Sequence, residues 1–78
     1  MNFSEILKVG DWVELRNGEK GKVVFLYDSD KIFPIKLEID GKETFCTAEG
    51  KYFTFEESDP MDIIRKIEPN ELAEEELK

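Results

Sequence analysis

The sequence predicts a small, mainly β-barrel fold with a short helical turn before the barrel and an acidic tail after it. Three observations carry that expectation. Apolar and polar residues alternate with period two over Trp12–Leu15 and again over Ile35–Ile39. Turn formers recur between such runs, at Asn17-Gly18, Asp40-Gly41 and Gly50. Finally, 78 residues make one domain, and closing about five short strands into a barrel removes the exposed edges that a flat sheet of that size leaves.

Residues 1–8 read as an N-terminal helical lid, with Ser4 as the cap and Phe3, Ile6 and Leu7 folding back over a core. The barrel is expected over residues 9–67. In its first strand, Val13 and Leu15 share one face, and Trp12 and Glu14 the other. Asn17-Gly18 and Gly21 reverse the chain into residues 22–27, Lys-Val-Val-Phe-Leu-Tyr, a run rich in β-branched and aromatic side chains. The polar stretch 28–31 ends it.

The third strand has the clearest alternation, with Ile35, Leu37 and Ile39 on one face and Lys36, Glu38 and Asp40 on the other. Pro34 cannot donate to a ladder and belongs at its start. Asp40-Gly41 turns the chain into residues 43–47, where Phe45 is expected to point inward. After a turn at 48–51, residues 52–55 would place Tyr52 and Thr54 opposite Phe53 and Phe55 if extended. Residues 63–67 form the last strand, and 68–78 an acidic tail whose end reads as a frayed helix.

Composition excludes several chemistries. With no histidine, the usual general base and metal ligand at neutral pH are missing. The single cysteine, Cys46, rules out an intramolecular disulfide and a thiolate cluster, and its strand setting reads as a structural thiol. No metal or cofactor is therefore expected, and a reducing, cytoplasmic compartment fits. No apolar run approaches the about 20 residues that span a bilayer. Residues 1–8 lack the basic leader and apolar stretch of a signal peptide.

The net charge of −8 comes from 19 acidic and 11 basic side chains. Residues 1–55 sum to −2, segments 56–62 and 68–78 to −4 each, and 63–67 to +2. This distribution disfavours nucleic acid, because the lysines are interleaved with carboxylates while phosphate binding needs clustered cations. Asp28 with Asp30, or Glu56, Glu57, Asp59 and Asp62, could bind a hard cation, but neither group has the spacing of a calcium loop.

Two stretches carry a resemblance. Val9-Gly10-Asp11-Trp12-Val13-Glu14-Leu15, then Gly18 and Gly21-Lys22-Val23, resembles the opening of SH3-like barrels, including KOW and Tudor-type modules. There "G-D-x-V" enters the first strand and "G-x-V" begins the second. Phe33-Pro34-Ile35-Lys36-Leu37, then Gly41, Phe45-Cys46-Thr47 and Gly50-Lys51-Tyr52, is similar to small uncharacterised proteins of bacteria and their phages with "Y-P-x-x-V…G…F-T…D-G-R-Y". Phe33 stands where that pattern has tyrosine, and Ala48-Glu49-Gly50-Lys51 where it has Leu-Asp-Gly-Arg. The likeness spans residues 9–67 and rests on turn glycines and core positions. It implies a five-stranded SH3-like barrel that acts as a non-enzymatic binding or accessory module.

The expected function is a small interaction module that binds a protein partner. Trp12, Tyr27 and Tyr52 are its candidate aromatic anchors, chosen among Trp12, Tyr27, Phe33, Tyr52 and Phe53. Trp12 leads because it falls out of phase with Val13 and Leu15; the competing reading packs it under Phe3, Ile6 and Leu7. Glu56, Glu57, Asp59 and Asp62 would supply electrostatic selectivity. Charge and fold suggest two other readings: an acidic inhibitor imitating the phosphates of nucleic acid, and an RNA- or DNA-contacting accessory protein.

Overall fold

In the computed structural model, which describes residues 2–28, 30–52 and 58–72, five strands form one antiparallel sheet. They are β1 (Trp12–Leu15), β2 (Lys20–Leu26), β3 (Ile35–Ile39), β4 (Lys42–Cys46) and β5 (Ile63–Ile67). The order is β4-β3-β2-β1-β5: β1 to β4 meander, and β5 returns to the far side of β1. The ladders end at β4 and β5, so strand pairing does not close the sheet. A backbone bond of 2.8 Å from the Ile63 N–H to the Gly50 carbonyl ties the turn after β4 to the start of β5.

The β3–β4 hairpin has a two-residue turn in which Asp40 (φ 52°) and Gly41 (φ 78°) both lie in the left-handed region. That conformation suits the twist of a tight hairpin. The turn sets the register Ile39↔Lys42, Leu37↔Thr44 and Ile35↔Cys46. The inward row of β3 therefore faces Cys46 and Thr44, and Phe45 falls opposite Lys36 on the outer face. The expected inward Phe45 is thus corrected: Cys46 is fully buried and Phe45 is 42% exposed.

Two bulges alter the alternation elsewhere. In β2, Val23 pairs with Leu37 but Phe25 pairs with Lys36, so Val24 is an extra residue. In β5, Ile63 pairs with Leu15 and Arg65 with Glu14, so Ile64 is the extra residue. A bulge bends its strand and reverses the facing of the residues beyond it. Ile63 consequently joins the main core, while Ile67 is buried outside it, on the face that Trp12 shares.

Among the described residues the core is aliphatic: Val13, Leu15, Val23, Ile35, Leu37 and Ile39, with Cys46, Ile63, Leu7 and one aromatic residue, Phe3. Phe3 lies on the helical turn α1 (Phe3–Ile6), whose cap is Asn2 instead of the expected Ser4. The Asn2 carboxamide oxygen accepts from the Ser4 N–H at 3.0 Å and from its hydroxyl at 2.6 Å. Ile6 points outward at 44% exposed, so Phe3 and Leu7 alone close the core here. The Phe3 N–H donates to the Ala48 carbonyl at 2.7 Å, and a Cβ on Gly50 would meet the Phe3 ring at 2.8 Å and Ile63 at 3.0 Å. The N-terminal turn thus covers the 48–50 turn and the start of β5. After β5, Pro69–Glu71 forms a 3₁₀ turn closed by a Glu68/Glu71 capping box. The expected strand at 53–55 and the tail beyond residue 72 lie outside the described residues. No helix among the described residues is long and apolar enough to cross a membrane.

Candidate functional site

The outer face of β2, β3 and β4 carries the most distinctive surface of the molecule. Its central row is Phe25–Lys36–Phe45, set by the β2 bulge on one side and the hairpin register on the other. Tyr27, two residues beyond Phe25, packs its ring 4.6 Å from Phe25 and 6.3 Å from Phe45, both tilted. Such tilted pairs are favourable ring geometries. The Lys36 ammonium lies 5.9 Å from the Phe45 ring centre and 3.2 Å from the Glu43 carboxylate. Phe33, Thr44, Phe45 and Tyr52 border an adjoining shallow hollow of about 260 Å³.

Phe25, Tyr27, Phe33 and Phe45 are 37–50% exposed, a large share for four aromatic side chains in a chain with nine. Among the described residues these four rings stand outside a core that is aliphatic but for Phe3. Of the three proposed anchors, Tyr27 and Tyr52 belong to this surface. Trp12 shares the outer face but ends a different row, Trp12–Lys22–Glu38–Glu43. It is half-buried, beside a hollow of about 540 Å³ bordered also by Lys20, Glu38 and Gly41. Phe53 lies outside the described residues.

The proposed acidic patch is corrected at its last member. Asp62 is 1% exposed and is a structural pin. Its carboxylate accepts from the Tyr52 N–H at 2.8 Å, the Asp59 N–H at 2.9 Å and the Lys51 ammonium at 3.1 Å, with the Arg16 guanidinium 3.5 Å away. Burial pushes its pKa up, but the backbone donors of Tyr52 and Asp59, with Lys51, outweigh that and hold it below the usual carboxylate range. By holding the Tyr52 N–H, Asp62 also positions one wall of the aromatic hollow. Asp59 is half-buried and uses its carboxylate in the same turn, accepting from the Met61 N–H at 2.9 Å. Glu56 and Glu57 lie outside the described residues.

The remaining reactive groups are occupied structurally. Burial, with the Asp62 charge adding, pushes the Cys46 thiol up to about 12, so no thiolate forms at neutral pH. The locally basic strand is paired: Arg65 reaches Glu14 at 2.6 Å and Glu71 at 3.0 Å, and Lys66 lies 3.5 Å from Asp11. Glu71 first, then Glu14, raise the Arg65 pKa, while Arg65 and the Glu68 N–H lower that of Glu71. Among the described residues no cluster of acidic and cysteine side chains is gathered to hold a metal ion.

No protein-family model, curated protein or solved structure matches this chain, so its function must be argued from its own residues. Sequence reasoning misses Phe25 and Phe45 as surface residues. For Phe45 the signal is present, since a two-residue turn at Asp40-Gly41 makes Cys46 and Thr44 the partners of Ile35 and Leu37. For Phe25 no local signal marks the bulge that turns it outward.

Proposed function

We propose that this chain is a non-enzymatic interaction module of bacterial or phage type, an SH3-like barrel that binds a protein partner through its outer aromatic face. One observation carries the reading: Phe25, Tyr27, Phe33 and Phe45 are all substantially exposed, with Phe25, Tyr27 and Phe45 in ring contact and Lys36 beside Phe45. Exposed apolar patches on small soluble domains mark contact sites, and aromatic side chains dominate the energy of protein interfaces. The SH3-like assignment is supported by the β4-β3-β2-β1-β5 order and by the bulges that bend β2 and β5. A cytoplasmic setting is supported by the free, buried Cys46.

Imitation of nucleic acid ranks lower, because Asp62 is buried and Asp11, Glu14 and Glu71 already have cationic partners. The test is capture from an extract of the source cells with the wild-type chain and a Phe25→Ser/Phe45→Ser variant whose fold is checked by NMR. A specific protein retained by the wild type and lost by the folded variant is expected. Equal capture by both would remove the aromatic face from the function.

A further inference from the structure

The aromatic face ends at the edge strand β4, and the geometry of that edge identifies a more specific site. In the two-residue hairpin, Ile39 and Lys42 close the turn as a hydrogen-bonded pair, and Leu37/Thr44 and Ile35/Cys46 repeat that pairing. The intervening residues of β4, Glu43 and Phe45, therefore aim their N–H and C=O groups away from β3. Among the described residues, no backbone hydrogen bond from elsewhere reaches either of them. An edge of this kind is a template for a further strand.

Two hollows flank it. On the outer side lies the one bordered by Phe33, Phe45 and Tyr52. On the inner side, a hollow of about 320 Å³ is bordered by Ile39, Lys42, Thr44, Met61 and two acidic residues, Glu19 and Asp40; Glu43 also borders it, but its side chain belongs to the outer face, where it meets Lys36. Glu19 and Asp40 against Lys42 leave this second hollow negative.

We propose that β4 takes up an extended segment of the partner as an added strand, pairing with Glu43 and Phe45. Neighbouring residues of a strand point to opposite faces. An apolar or aromatic side chain of the segment lies against Phe33, Phe45 and Tyr52, and an adjacent Lys or Arg enters the Glu19/Asp40 hollow. Main-chain pairing supplies affinity and the two hollows supply selectivity, as in other strand-addition complexes. This inference rests on the aromatic-face reading and narrows it to one partner chemistry.

The probe is a capped heptapeptide with adjacent Phe and Lys in a run of Thr and Val, titrated into the full-length 15N-labelled chain. Expected are shifts centred on residues 43–45 and slowed hydrogen exchange of the Glu43 and Phe45 amides. Replacing the peptide's Lys by Glu, or N-methylating its pairing amides, is expected to weaken binding about tenfold or more. On the protein, Glu43→Pro removes an outward N–H without touching the β3 ladder and is expected to abolish binding. Glu19→Gln reports the charge contribution alone and is expected to weaken binding less. Absence of binding at millimolar peptide, or binding with the Glu43 and Phe45 amides still exchanging freely, overturns strand addition. The aromatic-face reading falls separately, if the Phe25→Ser/Phe45→Ser variant still captures the partner.

Discussion

The two faces of β2, β3 and β4 are built from different chemistry. The inner face is aliphatic and sealed, with Val23, Ile35, Leu37 and Cys46 at zero exposure. The outer face presents phenylalanine and tyrosine half in solvent. Aromatic rings bury the most apolar area per side chain and would be the most direct way to stabilise so small a domain. Among the described residues, Phe25, Tyr27, Phe33 and Phe45 nevertheless stand outside the core, which takes in only Phe3, and so remain partly open to contact with another molecule.

The sharpest way to break this contrast is to cut into the inner face. Leu37→Ala removes a fully buried side chain at the centre of the sheet and should cost about 3 kcal/mol, in the range for large-to-small core changes. Urea unfolding checks it, with a lower midpoint at unchanged slope.

Asp62→Ala comes next, at about 2–3 kcal/mol, because the Tyr52 and Asp59 N–H groups and the Lys51 ammonium lose their acceptor together. The same group makes stability acid-sensitive. Its folded pKa is depressed, so as pH falls the unfolded chain takes up the proton first, near the ordinary aspartate value of about 3.9. Stability therefore declines from about that pH downward through the lower folded value. Asp62→Asn should flatten that part of the profile, measured as unfolding free energy against pH.

Gly50→Ala tests where the N-terminal turn seals the inner face. Gly50 has φ of +84°, and a Cβ there would press on Phe3 and Ile63. A loss of about 1–2 kcal/mol is expected from the backbone conformation and the crowding, read as a lowered melting temperature. The smallest effect on stability belongs to the outer face. Phe25→Ser and Phe45→Ser should each cost less than about 1 kcal/mol while removing capture of the protein partner. A large loss of stability from either would mean that the outer rings, too, hold the fold.

Much of this architecture is legible in the chain itself. The strands at Trp12–Leu15 and Ile63–Ile67 match the expected bounds, and β3 is where its alternation places it. Cys46 is buried as its setting implies. The candidate site is less legible. The residues point to Tyr27 and Tyr52, but the strand pattern sends Phe45 inward, and the charge run groups Asp62 with surface acids although it is the most buried carboxylate described. A run of acids reads the same whether its members face water or collect N–H donors, and only the placement of Tyr52 and Asp59 around Asp62 distinguishes the two.

By itself, the sequence determined the mainly β character, the strand positions, the turn at Asp40-Gly41 and the absence of histidine chemistry. All of these come from composition, local periodicity and backbone preferences within a few residues. The tertiary structure decided the facing of the aromatic residues and the burial of Asp62. Strict alternation from Val23 would turn Phe25 inward; the extra residue Val24 turns it outward, because Phe25 must pair with Lys36, eleven residues further on in the next strand. That pairing belongs to the register of two strands together, and neither strand contains it alone.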